Sequence, residues 1–246
     1  MRKNIVITAV PHTGKSTLLQ KVIAEIPQKR GFYAREQKDA RGVRTGFECV
    51  TNNEKHDPFP LAYVSDEKSP YRVGKYVVNL DHLDTYCKWS MNFSVGESDM
   101  LYIDEIGQMQ LYSEPFKKYV LKCFDSEATT ISTISAIYYD PFIEEIKKRT
   151  DVILLELTEK NRNSMAEYIL TLVRKINKAR RYMREPQRFS FTSAGIIVTS
   201  DHSTPENRRV VHLNTPHGHI CTCDFSKREY GGICSHILAA EILQNT

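Results

Sequence analysis

Nine residues near the start of the chain, Ala9-Val10-Pro11-His12-Thr13-Gly14-Lys15-Ser16-Thr17, leave it few folds to choose from. They follow the apolar run Ile5-Val6-Ile7 and open a segment with Leu18, Leu19, Val22, Ile23 and Ile26 on a helical period. A strand, a tight loop ending Gly-Lys-Ser and then a helix make the P-loop arrangement. Loop amides and the helix N-terminus converge on one small volume, which favours a polyanion such as a triphosphate. Lys15 is placed to reach the β- and γ-phosphates, and the Ser16 hydroxyl to sit on Mg²⁺. Ala9 stands where the pattern usually has its first glycine, with less backbone freedom. The competing reading is a plain strand–helix turn with Lys15 solvated; it leaves Gly-Lys-Ser-Thr in this setting unexplained.

A second motif gives the loop its chemistry. Met100-Leu101-Tyr102-Ile103 is an apolar strand that ends in adjacent carboxylates, Asp104 and Glu105. Downstream of a P-loop this is the Walker B arrangement, in which Asp104 holds Mg²⁺ together with Ser16. Glu105 is then placed to orient or deprotonate the attacking water, help that is worth about 10²–10⁴ in rate. Alone, the pair would read equally well as two exposed acids at a strand end.

The surrounding chain alternates strands and helices. Gly31–Glu36 and Thr45–Val50 flank the turn signal at 38–42 and predict a β-hairpin. Its Arg35, Arg41 and Arg44 face a nucleotide or, on the favoured reading, solvent. A polar loop at 52–55 follows, and Asp81-His82-Leu83 marks the start of a helix. Ser113-Glu114-Pro115 starts another, with Phe116, Tyr119, Val120, Cys123 and Phe124 as its apolar stripe. Thr129–Ile134 is β-branched and predicts a strand; Asp140-Pro141 opens a helix carrying Phe142, Ile143 and Ile146. Val152–Leu157 reads as a buried strand, and Thr158 as the cap of a long helix with Met165, Ile169, Leu172, Val173 and Ile176 inward. The expected class is α/β, a three-layer sandwich with its site at the carboxyl ends of the strands. There Thr133 and Ser135 are expected near the γ-phosphate, and Arg149 and Arg162 are candidates for stabilising the transferred phosphoryl charge. Both arginines also read as helix-end ion-pair partners. No Asn-Lys-x-Asp guanine signature occurs, so no dedicated GTP reader is expected.

Charge and cysteines divide the chain. Residues 174–246 hold eleven Lys and Arg against six Asp and Glu, an excess of five, and the remainder carries a net −1. The excess begins with Arg174, Lys175, Lys178, Arg180, Arg181, Arg184 and Arg188, opposed only by Glu185 and interleaved with Tyr182 and Phe189. The stretch is either a phosphate-binding footprint or a solvated helix continuation and linker. Cys49, Cys87 and Cys123 are dispersed and read as buried or idle thiols of a reducing compartment. No apolar run approaches the ~20 residues that span a membrane, and the P-loop begins too early for a removable leader. The chain is therefore expected in the cytoplasm. The expected layout is a catalytic domain at 1–175, a basic linker at 176–190 and a second domain at 191–246.

In that second domain, residues 194–199 and 209–213 predict two strands. Cys221-Thr222-Cys223 and Cys234-Ser235-His236 follow, leading into Ile237-Leu238-Ala239-Ala240. Three thiolates and one imidazole make a closed tetrahedral set for structural Zn²⁺. A segment this small buries too little core to fold alone, so the metal would supply folding free energy. Gly231-Gly232 lets the chain turn back between the two ligand pairs. His212, His217 and His219 lie nearby but are not needed for the set, and are expected at the surface or facing a partner.

Two resemblances attach to these residues. From Ile5 to about Leu172 the chain resembles the THEP-type, or cancer-related, nucleoside-triphosphatases. The likeness rests on Gly14-Lys15-Ser16-Thr17, Gly31-Phe32-Tyr33, Gly46-Phe47, Val73-Gly74-Lys75-Tyr76, Val78-Asn79-Leu80, Ile103-Asp104-Glu105-Ile106-Gly107, Ser113, Phe116 and Asn161-Arg162. It implies an additional-strand P-loop fold related to RecA-like and AAA+ ATPases. It also implies slow, Mg²⁺-dependent hydrolysis of several nucleoside triphosphates, ATP among them, to diphosphate and phosphate. Gln108-Met109-Gln110 departs from the charged Lys-Met-Glu common there. Residues 191–243 resemble the SWIM zinc finger, which implies a small zinc-stabilised β-β-α module for recognising DNA or protein. The reading is an NTP hydrolase carrying a recognition module. The alternatives are a nucleotide-gated binding module with little turnover and a small-molecule kinase on the same scaffold.

Overall fold

The structure, a computed structural model, describes residues 1–51, 58–90, 95–96, 99–201, 208–215, 218–224 and 232–244, with Trp89 and Gln244 by backbone alone. The polar loop at 52–55, His217 and Gly231 lie outside the described residues. Two compact units divide the chain, Lys3–Ala166 and Glu167–Thr246 with Met1–Arg2. Among the described residues, no helix is long and apolar enough to cross a membrane.

In the first unit the elements run β1 (Asn4–Ala9), α1 (Lys15–Ala24), β2 (Lys29–Lys38), β3 (Arg44–Thr51), β4 (Phe59–Val64), β5 (Arg72–Val73), β6 (Tyr76–Val78) and α2 (Leu80–Ser90). Then come β7 (Met100–Ile106), α3 (Glu114–Asp125), β8 (Thr129–Ser135), α4 (Pro141–Lys148) and β9 (Val152–Glu156). One sheet takes them all in the order β5-β6-β4-β3-β2-β7-β8-β1-β9. The five strands from β2 to β9 are parallel; β3 to β6 extend the sheet antiparallel. β8 therefore lies between the strand that feeds the P-loop and the strand that ends in Asp104-Glu105, the additional-strand order.

Alternation decides what each strand buries. Val6, Leu101 and Ile103 join one core with Phe32, Leu83, Phe116, Tyr119, Phe124 and Ile143 from β2 and helices α2 to α4. Ile5 and Ile7 alternate with Val6 and point to the other face, and α1 contacts β1, β7 and β8. Gly31 shows why β2 needs a glycine: a Cβ there would lie 1.9 Å from the Tyr102 carbonyl oxygen. The helix starts follow their sequence signals. Ser113 Oγ accepts from the Phe116 amide at 3.0 Å, and Asp140 Oδ1 from the Phe142 amide at 2.8 Å.

Three expectations are corrected. Val152–Leu157 does not form a strand buried on both sides: among the described residues β9 pairs only with β1, and at this sheet edge Leu154 is 44% exposed. Thr158 does not cap the long helix α5 (Arg162–Met183). Residues 158–161 form a turn in which Asn161 Oδ1 accepts from the Thr158 amide, and Asn161 precedes the first helical residue. The C-terminal module is not β-β-α. It has four antiparallel strands, β10 (Phe189–Thr192), β11 (Gly195–Val198), β12 (Arg209–Thr215) and β13 (Gly218–Cys221), followed by α6 (Ser235–Gln244). β10 and β13 escape a hydrophobicity reading because Phe-Ser-Phe-Thr and Gly-His-Ile-Cys are short and half polar. The stretch read as a linker, 176–190, continues α5 to Met183, turns at Pro186–Arg188 and enters β10.

Candidate active site and metal cluster

β1 delivers the P-loop at its carboxyl end. Ala9 is the last residue of that strand, in register with Ser135 of β8 and 1% exposed, and its φ is not positive. An alanine therefore fits the loop's first position without backbone cost. The positive φ values fall later, at His12 (65°) and Gly14 (99°), and curve the loop so that successive amides can face inward. Thr13 Oγ1 donates to the Val10 carbonyl at 2.9 Å within the loop. No side chain among the described residues caps α1 and its first turn has no acid, so its leading amides are left for an anion. Lys15 Nζ donates to the Ala9 carbonyl at 3.1 Å and lies 4.0 Å from Glu105 Oε2.

Asp104 is 2% exposed at the end of β7. Thr133 on β8 donates its hydroxyl to Asp104 Oδ1, and the Ser16 side chain is near enough to the carboxylate to lower its pKa. Oδ2 has no hydrogen-bond partner among the described residues. Burial raises the Asp104 pKa, against the Thr133 bond, the Ser16 side chain and the Lys15 charge. A buried carboxylate oxygen lacking a partner, beside a serine hydroxyl, is an oxygen donor set that fits a hard cation such as Mg²⁺. Glu105 is half-buried; burial raises its pKa, Lys15 lowers it and Asp104 raises it further. The β7–β8 register breaks between Ile103 and Ile106, where the Asp104–Glu105 peptide is cis.

The remaining predicted site residues divide. The Thr133 hydroxyl is engaged with Asp104. Ser135 Oγ accepts from the Ile137 and Tyr138 amides, each at 3.2 Å, and so shapes the loop after β8. Arg149 is at the wrong end of the sheet. It binds Asp151 at 2.9 Å and Asp125 at 2.6 Å, where the Asp151 carbonyl also receives the Lys3 and Asn4 amides that begin β1. A six-residue strand, roughly 20 Å long, separates that end from the P-loop. Arg162 begins α5 beyond the carboxyl end of β9 and is exposed. Arg35 pairs with Glu48 at 2.6 Å, Arg41 with Asp39 at 3.3 Å, and Arg44 with Glu36.

In the second unit Cys221, Cys223, Cys234 and His236 are all buried, and their ligand atoms lie within 4.8 Å of one another. Cys221 Sγ is 3.7 Å from His236 Nδ1. Tetrahedral zinc, with Zn–S near 2.3 Å, needs ligand separations of about 3.8 Å. The set therefore fits the ion. Hydrogen bonds with Cys223 and Cys234, then burial, favour the protonated Cys221 thiol and push its pKa far above the ordinary range. The Ile237 amide donates to Cys234 Sγ at 3.4 Å, and Tyr182 stacks on His236 at 6.2 Å. His219 does not stand free at the surface: Nδ1 accepts from the Asn214 amide, and Nε2 is 3.6 Å from Glu241, which also binds Arg2. The cations of the basic stretch are largely paired within the unit. Asp201 holds Lys178, Arg181 and Arg188, and Glu167 holds Arg174.

Sequence reasoning held Gly107 only as part of the Asp-Glu-Ile-Gly block and gave it no role, though it shapes the space around Glu105; it passed over Asn4, which closes the opposite end of the sheet. Both roles are read from neighbours in space.

Known proteins match the same region. The model of the NTPase family matches residues 4–170. The nucleoside-triphosphatase THEP1 of Thermotoga sp. (strain RQ2) is 41% identical over 170 residues, covering 69% of this chain and 95% of that protein. The mouse cancer-related nucleoside-triphosphatase homolog is 34% identical, covering 70% and 97%. Among solved structures, human cancer-related nucleoside triphosphatase matches with a TM-score of 0.59 at 31% identity, covering 70% and 97%. THEP1 from Aquifex aeolicus matches at 0.57 and 27%, covering 69% and 98%.

Proposed function

Because the chain belongs to the NTPase family that includes the THEP1 nucleoside-triphosphatases, we propose that it hydrolyses nucleoside triphosphates, ATP among them, to diphosphate and phosphate with Mg²⁺. The observation that carries this reading is the meeting of Lys15, Asp104 and Glu105 at one strand end. Residues 9–17 hold the phosphate chain through loop amides and the start of α1. Lys15 exchanges its Ala9 carbonyl for β- and γ-phosphate oxygens. Ser16 and Asp104 would hold Mg²⁺, which would supply positive charge against the phosphate oxygens. Glu105 orients a water and takes its proton as the new P–O bond forms. The bond from the γ-phosphorus to the β–γ bridging oxygen breaks, and that oxygen leaves with the diphosphate. Thr133 acts through Asp104. Of the two arginines considered for the transferred charge, only Arg162 is at the same end of the sheet.

The second unit supports a zinc-stabilised recognition module, with Cys221, Cys223, Cys234 and His236 as ligands and DNA or protein as the partner. Its paired basic residues make a phosphate footprint weaker than the charge count suggests. A cytoplasmic location goes with six cysteines, none of them in a disulfide among the described residues.

Phosphate release with Lys15→Ala and Glu105→Gln in the full chain tests the hydrolytic reading. Lys15→Ala should abolish turnover and Glu105→Gln should lower it about 10²–10⁴-fold while the fold is kept; unchanged turnover in both overturns it.

A further inference from the structure

Gly107 follows β7 two residues after Glu105, and its glycine is not required by the backbone. Its φ is outside the left-handed region that the chain's positive-φ glycines occupy. Its carbonyl accepts an ordinary hydrogen bond from the Leu111 amide at 3.0 Å. What excludes a side chain is Glu105. A Cβ on Gly107 would lie 2.5 Å from Glu105 Oε1, 3.0 Å from Cγ and 3.1 Å from Cδ. Real Cβ atoms essentially never approach so closely, so one of the two groups would have to leave. The carboxylate is the one free to swing, since Gly107 is held in the turn that Leu111 closes.

We infer that Gly107 is a positioning residue for hydrolysis: by carrying no side chain, it keeps the volume in which the Glu105 carboxylate stands beside Lys15. The inference rests on the reading of Glu105 as the group that takes the water's proton. Glu105 Oε2 is 4.0 Å from Lys15 Nζ, and Oε1 is the atom nearest to the missing Cβ. Adding one methyl group there turns the carboxylate out of line, since the three atoms nearest to it all belong to Glu105. Positioning errors of this size at a general base cost about 10²-fold in rate.

The test compares the full chain with Gly107→Ala, Glu105→Gln and the double variant, reading kcat, KM and affinity for a non-hydrolysable triphosphate analogue. Gly107→Ala should lower kcat about 10²-fold, with KM and analogue affinity within threefold of the parent. In the Glu105→Gln background it should add no further loss, because the group it displaces no longer acts. Retained kcat in Gly107→Ala, beside a loss in Glu105→Gln, overturns the inference and leaves the base assignment standing. A further additive loss in the double variant overturns it as well, since Gly107 would then act on something other than Glu105. Full turnover in Glu105→Gln overturns the base assignment itself. Should Gly107→Ala fail to fold, Gly107→Ser with Glu105→Asp is the second measurement. The shorter acid leaves room for a side chain at 107, so the pair should regain kcat over Gly107→Ser alone; no gain overturns the inference.

Discussion

Thr133 donates its hydroxyl to Asp104 Oδ1, and Asp104 Oδ2 remains buried and without a partner among the described residues. The bond fixes which oxygen of the carboxylate is open to a cation. Thr133→Val keeps the shape and removes the donor. It should raise the Mg²⁺ concentration needed for half-maximal turnover by about 10–100-fold, the usual cost of losing a residue that orients a metal ligand. If kcat falls instead with the Mg²⁺ requirement unchanged, Thr133 acts on the γ-phosphate.

The acid limb of the pH–rate profile should lie above the ordinary glutamate value of about 4.3, because burial raises the Glu105 pKa. A base works deprotonated, so activity is lost as pH falls through that raised value. An acid limb at or below about 4.3 would assign it to another group.

Zinc should copurify with the chain at about one ion per molecule and be lost in Cys234→Ala, since three ligands in place of four leave an open site. Limited proteolysis should then cut the second unit first, because metal binding supplies its folding free energy. Equal metal content in the two proteins would exclude the Cys₃His site.

Asp201 receives Lys178, Arg181 and Arg188, and those cations crowd the buried Tyr182 ring, Arg188 at 4.7 Å and Lys178 at 5.4 Å. Asp201→Asn removes the carboxylate that Lys178 and Arg181 share with Arg188, which keeps Glu185 at 2.7 Å. Retention on a polyanion column should rise and depend more steeply on salt, by roughly one released counterion per new phosphate-like contact. Unchanged elution would mean that the cations stay bound to other groups.

Asn4 is wholly buried at the start of β1. Its Nδ2 donates to the Phe124 carbonyl and to Asp151, each at 3.0 Å, and its Oδ1 accepts from the Thr130 amide at 3.2 Å. Asn4→Ala should cost about 1–3 kcal/mol in denaturant unfolding, because it takes the acceptor from the buried Thr130 amide, while the Phe124 carbonyl keeps Lys3 and Asp151 keeps Arg149. A loss under about 1 kcal/mol would mean that water or a neighbour replaces the amide.

Much of the fold is written in local patterns. The P-loop, the hairpin of β2 and β3, and the starts of α3 and α4 at Ser113 and Asp140 each depend on residues close together in sequence. Elements without such a signal, β10 and β13, came only from the tertiary structure, because their half-polar stretches are strands by virtue of their neighbours. The same holds for the edge position of β9, which an apolar run cannot report.

By itself the sequence determined the chemistry available: a lysine and serine in a phosphate loop, two adjacent carboxylates, and three cysteines with a histidine. Each is a matter of residue type and short spacing. The tertiary structure decided which of them meet. It brought Thr133 to Asp104 by placing β8 between β1 and β7, and it sent Arg149 to the opposite end of the sheet. It also made room for Glu105 at Gly107 and tied three cations of the basic stretch to Asp201. Strand order and close approach are set by packing across the whole unit, and no local spacing encodes them.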